Sequence, residues 1–261
     1  MKTLALLSTI FLITGCANLN VKSMVYNNDK LDGKFDDKFE GYLAMPKNLT
    51  KPTPAIIMIH NWMGVTQETK HQAERFAEQG YIVFAADIYG KDQRPKNSSE
   101  ASKFAGIYKA DRKLFRQRMN EGLVFLKSQP NVDNKNIFAV GYCFGGTGAI
   151  ELARAGADIK AAISFHGGLD SPTPKDGKNI KAAVLALHGA DDPFVSTKDL
   201  MDFEKEMKMH KVNYALVQYP NAVHSFTDKG AGNDNSKGAA YNEEADKKSF
   251  AEALNFIKSK K

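Results

Sequence analysis

Residues 137–153 read IFAVGYCFGGTGAIELA, and this stretch decides the fold. Ile137–Val140 is an unbroken apolar run of the kind that forms a strand buried on both faces. Gly145–Ala153 is rich in small residues and reads as a helix. Between them, Gly141-Tyr142-Cys143-Phe144-Gly145 has the form G-x-C-x-G, which places Cys143 on a sharp strand-to-helix turn. A side chain at either flanking glycine would crowd the turn or the packed strand and helix. The start of the helix aims backbone N–H groups and a partial positive charge at the sulfur, which favours thiolate. The plainer alternative is a structural cysteine among packing glycines.

The rest of the chain repeats the strand–helix alternation. Apolar runs occur at Ala55–Ile59, Tyr81–Ala86, Ala161–Phe165, Ala182–Leu187 and Tyr214–Tyr219. Helical patterns fall between them, at Gln67–Gln79, Ser99–Tyr108, Asp111–Ser128, Gly145–Ala155, Thr197–Met209 and Glu243–Lys258. Val21–Tyr26 and Lys38–Met45 read as two edge strands. In the second of these, Phe39, Leu43 and Met45 share one face at period two. Continuous apolar strands alternating with amphipathic helices predict an α/β fold with a mostly parallel sheet covered on both faces. Ligands then sit beyond the carboxyl ends of the strands.

Three strand ends carry chemistry. Cys143 ends one. Leu187-His188-Gly189-Ala190-Asp191-Asp192-Pro193 ends another with two candidate acids, and Tyr219-Pro220-Asn221-Ala222-Val223-His224 ends a third with a histidine. The order nucleophile, acid, histidine is that of the α/β-hydrolases. In this arrangement His224 takes the proton of Cys143, and an aspartate holds the imidazole in the useful tautomer. An oxyanion hole is expected from the backbone N–H of Phe144 and from one in the loop His60-Asn61-Trp62-Met63-Gly64, with Trp62 the candidate. His60, His166 and His188 also end strands and read as pocket-lining or bracing residues. His71 and His210 lie on helical segments and read as surface residues. No His/Cys/Asp/Glu spacing indicates a metal, and Gly145-Gly146-Thr147-Gly148 lacks the lysine of a phosphate-binding loop, so no cofactor is expected.

GYCFGG at 141–146, SFHGGL at 164–169, LHGADDPFV at 187–195 and AVHSF at 222–226 together resemble the dienelactone hydrolase family, from about Glu40 to the C-terminus. The resemblance implies an α/β-hydrolase fold, Asp192 rather than Asp191 as the acid, and ester or lactone hydrolysis through a thioester. It also implies two departures. Asn61 stands where the family has a glutamate that helps activate the nucleophile. Asp228 stands where it has an arginine for a substrate carboxylate. Arg112, Arg116 and Arg118 lie where a second such arginine occurs, and at helical spacing they read equally as a solvated or salt-bridged face. Activation then rests on His224, Asn61 and His166 line the pocket, and the substrate need carry no acid group. A scaffold retained as a catalytically dead, surface-tethered binding protein is the alternative.

Composition and the N-terminus set the setting. The chain has 261 residues and a formal net charge of +6, without a basic block interleaved with aromatics, so nucleic-acid binding is not expected. Met1-Lys2-Thr3 followed by apolar Leu4–Ile13 suits a signal-peptide core and is too short to span a membrane. Ile13-Thr14-Gly15-Cys16 resembles the bacterial lipobox. This divides the chain into a signal peptide at 1–15, a lipidated N-terminus with tether and edge strand at 16–35, and a catalytic domain at 36–261. The mature protein is expected on the periplasmic face, anchored by lipid on Cys16, weakly favouring the outer membrane. Cys143 then has no disulfide partner among the chain's two cysteines.

Overall fold

The computed structural model describes residues 18–27 and 38–261. The expected signal peptide and Cys16 lie outside the described residues, as does most of the expected tether. The strands are β1 (Leu19–Asn27), β2 (Lys38–Pro46), β3 (Thr53–Ile59), β4 (Ile82–Ala86), β5 (Val132–Tyr142), β6 (Ala161–Phe165), β7 (Ala183–Gly189) and β8 (Tyr214–Tyr219). The helices are α1 (Gln67–Ala77), α2 (Ser98–Ala110), α3 (Arg112–Lys127), α4 (Phe144–Arg154), α5 (Thr197–Met209) and α6 (Glu243–Lys258).

One eight-stranded sheet has the order β1-β2-β4-β3-β5-β6-β7-β8. β1, β2 and β4 pair antiparallel, and every pairing from β4 through β3 to β8 is parallel. β2 is therefore an interior strand, not the edge that its one-sided pattern predicts. Tyr42 and Ala44 are buried on its second face, because α1 covers there what an edge strand would leave to water.

The apolar runs are continuous because each strand feeds two cores. From β3, Ile57 and Ile59 join Phe115 and Met119 of α3 and Leu152 of α4, whereas Ile56 and Met58 join Phe76 of α1 and Ile257 of α6. Alternating Cβ directions send neighbouring residues to opposite faces. A third cluster packs Phe203 and Met207 of α5 on Val184 and Ala186 of β7. β5 begins five residues before its apolar run, and its first half carries Asp133, Asn134, Lys135 and Asn136. Those side chains are largely solvated, so hydrophobicity does not mark them as strand. Helix starts follow local chemistry. Ser196 and Asp199 form a reciprocal capping box at α5, and Asn97, Asp111 and Asn242 cap α2, α3 and α6.

Candidate active site

Cys143 sits where β5 stops and α4 starts. Its backbone is left-handed, with φ 55° and ψ −119°, a conformation that costs a non-glycine residue of order 1–3 kcal/mol. The turn is held by Cys143 N–H donating to the Phe165 carbonyl at 3.0 Å and by Gly146 N–H donating to the Cys143 carbonyl at 2.9 Å. The neighbouring glycines are steric necessities. A Cβ on Gly141 would lie 1.9 Å from the Gly145 carbonyl oxygen, and one on Gly145 would lie 2.1 Å from that of Ile59. The sulfur is thus set at the tip of the turn while α4 packs directly on β3.

His224 lies on the loop after β8. Its own N–H donates to the Gly238 carbonyl at 3.1 Å, and its carbonyl accepts from Ala240 N–H at 3.0 Å. The side chains of Asn235 and Asn242 each donate to the Asn221 carbonyl at 3.1 Å. Residues 229–242 therefore clamp the histidine loop, a role that carries no motif in sequence. Phe226, fully buried, anchors the loop from beneath.

Direction distinguishes the two candidate acids. Asp191 is exposed. Asp192 is buried; one carboxylate oxygen faces His224 Nδ1 at 2.8 Å and the other accepts from Phe194 N–H at 2.8 Å. This leaves Nε2 of His224 toward the sulfur, and His224 acts on Cys143 to lower its thiol. Phe194 itself is exposed and stands edge-on to the imidazole, 5.4 Å between ring centres.

Burial raises the Cys143 thiol, but the His224 charge and hydrogen bond, the Phe144 N–H and the charge of Lys109 outweigh it and hold it below the ordinary thiol range. Burial in turn lowers His224, and the Cys143 and Asp192 charges and hydrogen bonds outweigh that and raise it. The two shifts are opposite in sign, Cys143 down and His224 up.

The cleft above the sulfur is lined by His60, Asn61, Trp62 and Met63 from the loop after β3, by Glu68, Thr69 and Gln72 of α1, by Tyr142 and His166, and by Ser225, Thr227 and Asp228. Asn61 Oδ1 accepts from Met63 N–H at 2.9 Å, so its side chain shapes its own loop. Trp62 gives its carbonyl to the Tyr89 hydroxyl at 2.9 Å. His166 is buried behind His224, with Nε2 2.8 Å from Thr227 Oγ1, and burial holds its imidazole neutral. His60 Nδ1 donates to the Asn61 carbonyl and its Nε2 accepts from Ile88 N–H; burial pushes it down to about 4. It braces the loop. His188 is buried beneath the site and lowered by burial. His71 is exposed, and His210 is half-buried at the surface with its Nε2 3.1 Å from the Pro174 carbonyl.

Arg112, Arg116 and Arg118 do not line the cleft. Arg112 reaches Asp170 at 2.6 Å, Arg116 reaches Glu151 at 2.7 Å and Asp176 at 2.6 Å, and Arg118 lies over the Phe39 ring beside Glu121. The salt-bridged reading of these arginines applies, in buried form. Glu68, Gln72 and Tyr142 escape sequence reasoning, because nothing in a helix start or a strand end tells which way these side chains face. Among the described residues, no group of three or more His, Cys, Asp or Glu side chains could hold a metal ion.

Comparison with known proteins agrees with this architecture. The dienelactone hydrolase family profile matches residues 39–260. The chain is 29% identical over 195 residues to the "Probable 2-oxo-3-(5-oxofuran-2-ylidene)propanoate lactonase" of Bradyrhizobium sp, covering 71% of this chain and 77% of that one. It is 28% identical over 203 residues to Protein usf of Aquifex pyrophilus, covering 74% and 83%. Among solved structures, a dienelactone hydrolase-like promiscuous phosphotriesterase from metagenomic libraries superposes with a TM-score of 0.85 at 31% identity, covering 93% of this chain and 99% of that one. With this fold, this chain order and a profile match over most of its length, the protein belongs to the dienelactone hydrolase family.

Proposed function

We propose that the protein hydrolyses activated esters and lactones through a thioester on Cys143. The observation that carries this reading is His224, held by Asp192 through Nδ1 at 2.8 Å with its charge lowering the Cys143 thiol. The thiolate attacks the carbonyl carbon, and a C–S bond forms as the C=O electrons move onto oxygen. Phe144 N–H, already directed at the sulfur, and Trp62 N–H are the proposed donors to that oxyanion. Its collapse expels the alkoxide or enolate, which takes the proton from His224 Nε2. Water then attacks the thioester, gives its proton to His224, and releases acid and thiolate. Asp192 keeps the imidazole oriented and stabilises its charged form.

Leaving-group chemistry sets the substrate class. A thiolate leaves a tetrahedral intermediate more readily than an aliphatic alkoxide, since a thiol has a pKa near ~8.5. Enol lactones, aryl esters and thioesters go forward, while simple alkyl esters and amides revert. A panel of such substrates on purified protein tests this. We expect aryl-ester turnover, a mass adduct on Cys143, and loss of both in Cys143→Ala. Turnover that persists in Cys143→Ala would sink the reading, as would anilides cleaved faster than aryl esters.

We further propose an exported protein carried on the membrane by lipid at Cys16. No helix among the described residues is long and apolar enough to cross a membrane. Metabolic labelling with a fatty acid should mark the wild type and not Cys16→Ser, and the latter should leave the membrane fraction. Equal labelling of both would overturn the anchor.

A further inference from the structure

The cleft carries a charge pattern that the chemistry above does not use. Glu68 of α1 and Asp228 of the histidine loop both line it. The two segments are tied together, since Gln72 Nε2 donates to Glu68 Oε1 at 2.6 Å and to the Thr227 carbonyl at 3.4 Å. Burial raises the Glu68 carboxyl and Asp228 raises it further, against Gln72, His71 and Arg75. The nearby guanidinium is already committed: Arg75 holds Asp246 at 2.9 Å, donates to Gln72 Oε1 at 2.9 Å and lies over Phe250. His224 is balanced by Cys143 and Asp192. Lys109 acts on the sulfur from α2 without lining the cleft.

An independent observation points to a ligand at the same place. Tyr142 lines the cleft and is only 6% exposed, and its hydroxyl has no hydrogen-bond partner among the described residues. Glu68, Arg75 and Asp246 are its charged neighbours. A buried hydroxyl left unpaired is costly, and a ligand donor that reaches it satisfies its oxygen and so reduces that cost.

We infer that the wall formed by Glu68 and Asp228, with the Tyr142 hydroxyl buried beside it, selects acyl substrates bearing a protonated amine and disfavours carboxylates. An alkylammonium offers charge to both carboxylates and an N–H to the tyrosine. A substrate carboxylate would meet two like charges at low local screening. The inference rests on the hydrolase reading for its substrates, but the charge of the cleft is testable without turnover.

The experiment uses the S-acetyl thioesters of dimethylaminoethyl, isopentyl and carboxyethyl thiols, followed by loss of thioester absorbance at low salt. Each kcat/KM is divided by the alkaline hydrolysis rate of its compound. We expect the cationic ester to exceed the neutral one about tenfold, and the neutral to exceed the anionic by a similar factor. Both ratios should shrink toward one in the Glu68→Gln/Asp228→Asn double variant and in high salt. Asparagine preserves the side-chain oxygen that accepts from Gly230 N–H. In parallel, aminoethyl, propyl and sulfonatoethyl methanethiosulfonates react with Cys143, read by mass, and should follow the same ranking. A neutral compound that equals the cationic one in both series overturns the inference, as do ratios unchanged in the double variant. Charge ranking of the thiosulfonates with no thioester turnover would sustain the wall and remove the hydrolase reading instead.

Discussion

At the scale of single residues, the proposed mechanism turns on where one proton sits. The lowered Cys143 and the raised His224 favour moving the thiol's proton to the imidazole, which Asp192 holds by its Nδ1. Alkylation of Cys143 by iodoacetamide should accordingly stay fast well below the ordinary thiol range. In His224→Ala it should slow and its midpoint should rise, because only the Phe144 N–H and the Lys109 charge then oppose burial. A midpoint unmoved by His224→Ala would disprove the pairing. Asp192→Asn releases the imidazole into the wrong tautomer and should lower kcat by roughly 10²–10⁴, read on an aryl ester with KM followed separately. The pair also links stability to pH. The raised His224 contributes stability that is complete below about pH 6.5 and is lost as pH rises through its folded value; the depressed Cys143 contributes stability complete above about pH 8.5 and is lost as pH falls through its own. Near neutrality folding only transfers a proton between the two. The difference in unfolding free energy between wild type and Cys143→Ala should therefore be flat there and shift against the wild type on both the acid and alkaline sides.

At the scale of elements, the strand-to-helix turn trades stability for a sulfur presented at the floor of the cleft. Cys143 occupies φ 55°, which glycine tolerates without strain. Cys143→Gly should be inactive yet more stable than Cys143→Ala by about 1 kcal/mol, seen as a higher urea midpoint. Equal midpoints would show that the turn stores no strain. Gly145 is the opposite case. Its added methyl would meet the backbone carbonyls of Ile59 and His60 at 2.1 and 2.6 Å. Backbone cannot swing aside as a side chain can, so Gly145→Ala should force α4 away from β3. It should cost about 1–3 kcal/mol and displace the loop that bears Trp62, lowering activity along with the urea midpoint.

At the scale of the whole molecule, one face of the sheet is tied by buried charge. Arg154 of α4, fully buried, holds Glu206 of α5 at 2.6 Å and Glu151 at 2.8 Å, and Glu151 also binds Arg116 of α3. Asp170 and Asp176 attach the segment after β6 to the same helix α3. A buried network of this kind adds little net stability over apolar packing, but removing one member strands the others. Arg154→Met should cost about 3–5 kcal/mol in denaturant unfolding. Adding Glu206→Gln should recover part of it, and a loss below 1 kcal/mol would mean that water reaches the carboxylates.

Taken alone, the sequence determined the strand–helix alternation, the turn bearing Cys143, and the order in which acid and histidine follow. These are local consequences of period, of glycine's missing Cβ and of apolar runs, and they need no knowledge of distant neighbours. The tertiary structure decided what depends on direction. It turned Asp192 inward and Asp191 to solvent, buried the second face of β2, tied Arg112 and Arg116 into ion pairs, and used residues 229–242 to hold His224. It also brought Glu68 and Tyr142 to the same cleft as Asp228. Which way a side chain faces, and what faces it, is settled by long-range packing, and a one-dimensional pattern carries no term for that.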